Sequence, residues 1–387
     1  MKILHCIHSC NPEGGGPWEV VLQFSLEHIR QGHKVLTITT DDPEAHWCKE
    51  ANIPIEPLGP ARNSHGYTEA FDQWLKNNGK DFDCAIVHGL WQYPGRSALK
   101  ILPRLNIPFF VYPHGMLDPW FKHTYPLKHL KKSIYWKLIE NRLFKKARAV
   151  LFTCKEERRL AQHTFSPYNC HEAIAPLGIG TPPDDCNHQE QIFLSNFPHL
   201  KEGNFLLFLS RVHEKKGLDV LLQALAQYPK DLPQLAIAGP IESTTYLARL
   251  KQLETKIASK HNGWKITWTG MLTGSLKWGA LRTAGAFILP SHQENFGIAV
   301  VEALAVGTPV LLSRKVNIWR EIVDDGSGLA EEDTINGVIQ LLSRWDELDT
   351  NAHKNMRENA SRSFNKRFEI SRAAANLIEI CSPHLKT

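Results

Sequence analysis

No window of the 387-residue chain approaches 18 uninterrupted apolar residues, which excludes a membrane-spanning helix. The opening MKILHCIHSCNPEGGG carries too short an apolar run for a signal peptide, so a cytoplasmic protein is expected. Eight cysteines (Cys6, Cys10, Cys48, Cys84, Cys154, Cys170, Cys186, Cys381) include no C-x2-C pair and nothing with zinc spacing. They read as unpaired, mostly packing thiols of a reducing compartment. The 19 histidines include no H-E-x-x-H, so structural and surface roles come before a metal centre. The G-x-G-x-x-G fingerprint of dinucleotide binding is missing, and no internal repeat is present.

What remains is an ordinary globular composition, 42% hydrophobic and 22% charged with a net charge of +5. The length exceeds what one hydrophobic core usually serves, and two domains of roughly 170 to 200 residues are expected. Strand and helix patterns alternate in both halves, the signature of parallel α/β sheets. A strand at 2–8, a loop holding Gly14, Gly15 and Gly16, a helix at 18–31 and a strand at 35–39 make a Rossmann-like start. Strands at 84–87, 109–112 and 149–153 follow, with 174–180 as the last of the first domain. The polar, proline-rich 181–190 (TPPDDCNHQE) places a linker there, with the first domain at 1–185 and the second at 186–365.

The most informative stretch is 284–313. An apolar strand at 286–289 stops at Pro290 and Ser291, a polar turn carries Glu294, Asn295, Phe296 and Gly297, and a helix runs from 298 to 305 before the next strand. The turn lies at the carboxyl edge of a parallel sheet, where helix N–H groups and dipole favour an anion. Glu294 and Glu302, eight residues apart, can both face one cleft. Upstream, 205–209 is a strand followed by Ser210, Arg211, His213, Lys215, Lys216 and Gly217, again placing cations at a helix N-terminus. In the first half, strands end in His88-Gly89 and in Pro113-His114-Gly115, each placing an imidazole over the sheet edge.

E-x7-E embedded in PSHQENFGIAVVEALAVGTPV, together with S-R-x-x-x-x-K-G, resembles the retaining GT-B-fold glycosyltransferases of family 4, also called group 1. The resemblance implies two Rossmann-like parallel-sheet domains facing across a cleft, the first for the acceptor and the second for a nucleotide-sugar donor. It also implies a final helix, 366–387, that crosses back to the first domain. Arg211 and Lys216 would neutralise the leaving diphosphate, Glu294 would orient the donor sugar and Glu302 would hold the ribose. His114 would hydrogen-bond the sugar. Asn295, Phe296, Gly297, Ile298 and Gly239 would contact the donor, with Gly15 and Gly16 across the cleft. The family keeps the anomeric configuration and is usually explained by front-face attack, so neither a dedicated base, a cofactor nor a metal is expected. The D-x-D motif of metal-dependent GT-A enzymes is not evident at a strand end.

Residues 118–148 hold nine Lys or Arg against two acids, interleaved with Trp120, Phe121, Tyr125, Tyr135, Trp136 and Phe144. Such a mixture suits an anionic inner membrane surface, with Trp120, Lys122, Lys128, Lys131 and Lys132 as docking or acceptor residues. Nucleic acid would favour the same charges but is not the expected partner. The segment from His114 to Trp120 is similar to bacterial enzymes that build exopolysaccharide or lipopolysaccharide on lipid-linked acceptors, which work at the cytoplasmic membrane face. Three rivals remain: a GT-B sugar-nucleotide epimerase, a nicotinamide-dependent oxidoreductase and a non-enzymatic binder of anionic surfaces.

Overall fold

The short aliphatic runs that show no alternation of polar and apolar residues become strands buried on both faces, as parallel sheets require. A computed structural model of the chain describes residues 1–261 and 264–385. Its first sheet contains β1 (Lys2–Cys6), β2 (Lys34–Thr39), β3 (Ile55–Pro57), β4 (Cys84–His88), β5 (Phe109–Tyr112), β6 (Ala149–Phe152) and β7 (Glu172–Ile174). They are parallel throughout, in the order β3-β2-β1-β4-β5-β6-β7. The second contains β8 (Phe205–Leu209), β9 (Gln234–Ala238), β10 (Ile266–Gly270), β11 (Ala286–Leu289), β12 (Val310–Ser313) and β13 (Gly328–Glu331). It is ordered β10-β9-β8-β11-β12-β13 and is also parallel.

In both sheets the winding direction reverses beside the first strand, between β1 and β4 and between β8 and β11. Loops leaving the carboxyl ends of such neighbours diverge and open a crevice, which makes these two points the places to look for ligands.

The chain divides into two compact units, Met1–Gly180 joined by the segment from Glu369 on, and Thr181–Phe368. These breaks differ from the expected 185/186 and 365/366, and the hydrogen bonds say why. Gly180 N–H donates to Gln23 Oε1 of the first unit, whereas Pro183 O accepts from Arg282 Nη2 of the second, so the proline-rich stretch belongs to the second unit. At the other end Phe368 packs on Phe296 of the second unit, while Glu369 pairs with Ile179 and caps the helix Ile370–Cys381. That helix buries Ile370, Ala373, Ala374, Leu377 and Cys381 in the first unit, against the helix Gly16–Arg30. The last strand of the first sheet is also shorter than the sequence suggests: β7 stops at Ile174, and Ala175, Leu177 and Ile179 are buried without joining it.

Candidate active site

The second unit gathers most of the singled-out residues at the carboxyl ends of β8 and β11, its switch point. Ser210 and Arg211 leave β8 and enter a turn, Glu214–Lys216, that ends at Gly217. Gly217 has φ +69°, and a Cβ there would fall 2.0 Å from the carbonyl oxygen of Pro290, so only glycine lets the two loops touch. The contact is reinforced from the β11 side: His292 N–H donates to Lys215 O at 2.8 Å, and Ser291 Oγ–H to the same oxygen at 3.0 Å. Lys216 is thereby buried with its ammonium on Glu294 Oε2. Glu294 is itself held by its backbone, donating to Lys315 O and accepting from Asn317 N–H, both at 2.9 Å.

Beyond Glu294, Asn295 Oδ1 accepts from Asn317 Nδ2 at 3.2 Å, and Phe296 is buried against Phe368. Gly297 (φ +74°) caps the helix Ile298–Ala305, whose first bonds back to Gly297 come from Val300 and Val301. The amides of Ile298 and Ala299 therefore lie at the helix mouth with the positive end of its dipole. Glu302, one turn in, is paired with Lys277 Nζ at 2.6 Å. Lys277 was not foreseen; it lies on the helix Gly274–Thr283, and no local motif ties it to Glu302.

A cavity of about 350 Å³ lies between the ends of β8, β9 and β10, lined by Ser210, Arg211, Gly239, Leu272, Thr273 and Lys277 among others. Gly239 stands at φ +139°, and a Cβ there would meet Ser210 O at 2.0 Å. Arg211 is exposed and pairs with Glu242 at 2.6 Å. A half-buried imidazole flanks the site: His292 Nδ1 meets Asp333 Oδ2 at 2.8 Å, and this bond raises the histidine pKa against the opposing effect of burial.

His114, Gly15 and Gly16 belong to the first unit. Gly15 caps the helix Gly16–Arg30, and both glycines are exposed, with nothing within 4 Å of a Cβ built on either. His114 follows β5 in the left-handed region (φ 52°), and its neighbour Gly115 donates its N–H to Glu157 Oε1 at 2.6 Å. The other Glu157 oxygen accepts from Thr153 N–H and Oγ1–H at 2.7 and 2.8 Å, so one buried carboxylate clamps the ends of β5 and β6 together. His114 Nε2 lies 3.0 Å from His88 Nδ1, and His88 Nε2 lies 2.9 Å from His5 Nδ1.

The basic segment forms the helix Pro126–Tyr135, a π turn Trp136–Glu140 and the helix Asn141–Lys146. Lys122, Lys128 and Lys131 are exposed; Lys132 is half-buried over the Trp91 ring, 4.7 Å from its centroid. The aromatics mostly turn inward: Trp136 and Phe144 are fully buried and Trp120 is half-buried. Tyr125 is the exposed exception among the aromatics, and the most exposed apolar residues are aliphatic, Leu127 (79%), Leu130 (64%), Ile134 (60%) and Leu138 (59%), at the spacing of one helix face.

Two doubly wound parallel-sheet units, with cations and helix amides at the carboxyl edge of the second, are the architecture of a GT-B-fold protein. The chain belongs to the group 1 glycosyltransferases: residues 191–363 match the model described as "Glycosyl transferases group 1", and residues 15–173 match "Glycosyl transferase 4-like domain". A D-inositol 3-phosphate glycosyltransferase of Jonesia denitrificans is 29% identical over 72% of this chain and 66% of its own length. For the next three curated relatives the matched stretch spans only 37% to 57% of the relative. Among solved structures, Anabaena Alr3699/HepE in complex with UDP superposes with a TM-score of 0.77 at 16% identity, over 99% of this chain and 100% of that one. WaaG, described as a glycosyltransferase involved in lipopolysaccharide biosynthesis, superposes with a TM-score of 0.68 at 16% identity, covering 98% of this chain and 99% of that one.

Proposed function

We propose that this chain is a retaining, metal-independent glycosyltransferase that moves a hexose-type sugar from a nucleotide-diphosphate sugar to a glycan or lipid-linked acceptor in cell-surface polysaccharide synthesis. The observation that carries the reading is the β8/β11 switch point, where Lys216, Arg211 and the amides of Ile298 and Ala299 surround one sheet edge. Breaking a glycosyl phosphate bond builds negative charge on the diphosphate, and fixed donors at that edge stabilise it without a metal ion. Glu294, seated on Lys216, is positioned to accept from sugar hydroxyls, and Glu302 from the ribose. The UDP-bound relative of the same fold supports a nucleotide-sugar donor.

The test is a thermal-shift panel of UDP-, GDP-, ADP- and CDP-sugars with EDTA present, on wild type beside Arg211→Ala. A shift with one nucleotide class, indifferent to EDTA and lost in the variant, is the expected result. Stabilisation by NAD instead would overturn the reading. Donor turnover without any acceptor would favour the epimerase, and an NMR reading of the product's anomeric configuration tests retention.

The membrane-side acceptor is supported by the stripe Leu127, Leu130, Ile134 and Leu138, bordered by Lys128, Lys131 and Lys137, a cationic amphipathic face that fits an anionic bilayer. Flotation with phosphatidylglycerol vesicles, but not with phosphatidylcholine, should carry the protein. The double variant Leu130→Asp, Ile134→Asp should lose flotation while keeping the donor shift. The inositol-phosphate relative favours a second reading, a small phosphorylated acceptor in solution. Equal turnover of such an acceptor with and without vesicles would select it.

A further inference from the structure

Three imidazoles form a continuous hydrogen-bonded row in the first unit, and strand geometry explains their alignment. His5 on β1 is in register with Ile86 on β4, and His88 on β4 with Tyr112 on β5. Side chains repeat every two residues along a strand, so His88 falls on the face of Ile86, while His114, past the end of β5 and at φ 52°, is turned so that its ring lies 5.3 Å from that of Tyr112. The three rings step from β1 across β4 to the end of β5 on one face. The rings of His88, Tyr112 and His114 lie near-parallel, His88 with centroids 5.8 and 5.2 Å from the other two, which are themselves 5.3 Å apart.

The row is neutral. Burial, with His28 adding to it, lowers the His5 pKa to about 3; burial lowers His114 to about 3, and burial with both neighbouring histidines holds His88 well below its ordinary range. Each ring then carries one proton, and two contacts of 2.9 and 3.0 Å leave two arrangements. In one, His5 Nδ1–H donates to His88 Nε2, and His88 Nδ1–H donates to His114 Nε2, so the His114 proton sits on Nδ1. In the other every proton moves the opposite way, and His5 Nε2 becomes an N–H.

His5 Nε2 decides between them. It is buried and has no hydrogen-bond partner among the described residues. A buried N–H left without an acceptor is rarer than a buried acceptor left without a donor. We infer that His5 and His88 are positioning residues that hold His114 as an Nδ1–H tautomer, so that His114 serves its ligand only as a hydrogen-bond donor.

This deepens the transferase reading, on which its ligand rests. A donor at that position matches a sugar hydroxyl lone pair or a phosphate oxygen. It also removes His114 as a general base, because the ring nitrogen not engaged by His88 already bears the proton.

The tautomer can be read without substrate, by ¹⁵N NMR of the full-length protein labelled at histidine, with the His114 signals assigned from their loss in His114→Asn. A protonated Nδ1 and unprotonated Nε2 on His114 are expected, and the reverse pattern would overturn the inference. In His88→Leu the His114 signals should move toward a mixture of tautomers; an unchanged pure Nδ1–H form would show that the row does not set it. Activity supplies the second arm. An Asn amide nitrogen lies about where His Nδ1 does and a Gln amide nitrogen about where Nε2 does, so His114→Asn should retain at least about fivefold more kcat/KM than His114→Gln or His114→Ala. The order Gln above Asn would count against a donating Nδ1. If all three variants match wild type while the NMR pattern holds, the relay stands and the sugar-binding role of His114 falls.

Discussion

At the scale of single residues, the site depends on a few charges paired with one another and carried by loops that backbone contacts hold together. Lys216 and Glu294 pair from two loops that meet at Gly217 and Pro290. Lys216→Met should lower kcat/KM by about 10²–10³-fold, the usual cost of losing one preorganised donor to developing charge. It should also destabilise the fold, because Glu294 loses its partner in a partly buried place. A thermal double-mutant cycle with Glu294→Gln checks the coupling: the double variant should be less destabilised than the sum of the singles, and strict additivity would refute the pair. Arg211, Lys216, Glu294 and Glu302 were legible because each follows a strand in one local strand–loop–helix pattern. Lys277 was not, since its bond to Glu302 spans 25 positions and exists only once two helices pack. The register that aligns His5 with His88 and His114 was hidden for the same reason.

At the scale of elements, the helical stretch after β5 shows where sequence patterning misleads. Lysines alternating with aromatics suggested aromatic membrane contacts, but helical periodicity turns Trp136 and Phe144 into the core and leaves leucine and isoleucine outside. The π turn between the two helices presents Glu140 inward, where its Oε1 accepts from Trp91 N–H at 2.6 Å and its Oε2 has no partner among the described residues. Burial raises the Glu140 pKa to about 7, against the pull of the Trp91 amide and Lys132. A folded pKa above the unfolded value of 4.5 means that the protonated form is favoured in the fold. That stability is complete below the unfolded value and is lost as pH rises through about 7. The span is on the order of 3 kcal/mol at most. Glu140→Gln should therefore gain on wild type in Tm as pH is raised from about 5 to about 8, and parallel Tm–pH curves would show that Glu140 does not titrate there.

At the scale of the whole molecule, the two parallel sheets follow from the alternation of strand and helix, which was plain in the sequence; the strand orders and the exact breaks between units were not. Proline and polarity mark 181–190 as a linker, yet which unit it joins is set by Arg282 and Gln23, residues far away in the chain. Because the segment from Glu369 on completes the first unit, a chain ending at Phe368 should show a lowered first-unit transition in calorimetry, with the second-unit transition and its shift by nucleotide retained. Loss of both transitions together would mean that the units do not melt separately. The same connectivity imposes an order on biosynthesis. The second unit is complete once Phe368 has left the ribosome, whereas the first must wait, with the buried side of its opening helix uncovered, until Leu377 and Cys381 emerge. The half of the protein made first is thus the half finished last, and chaperones holding the nascent chain would find their longest-lived target at its N-terminal end.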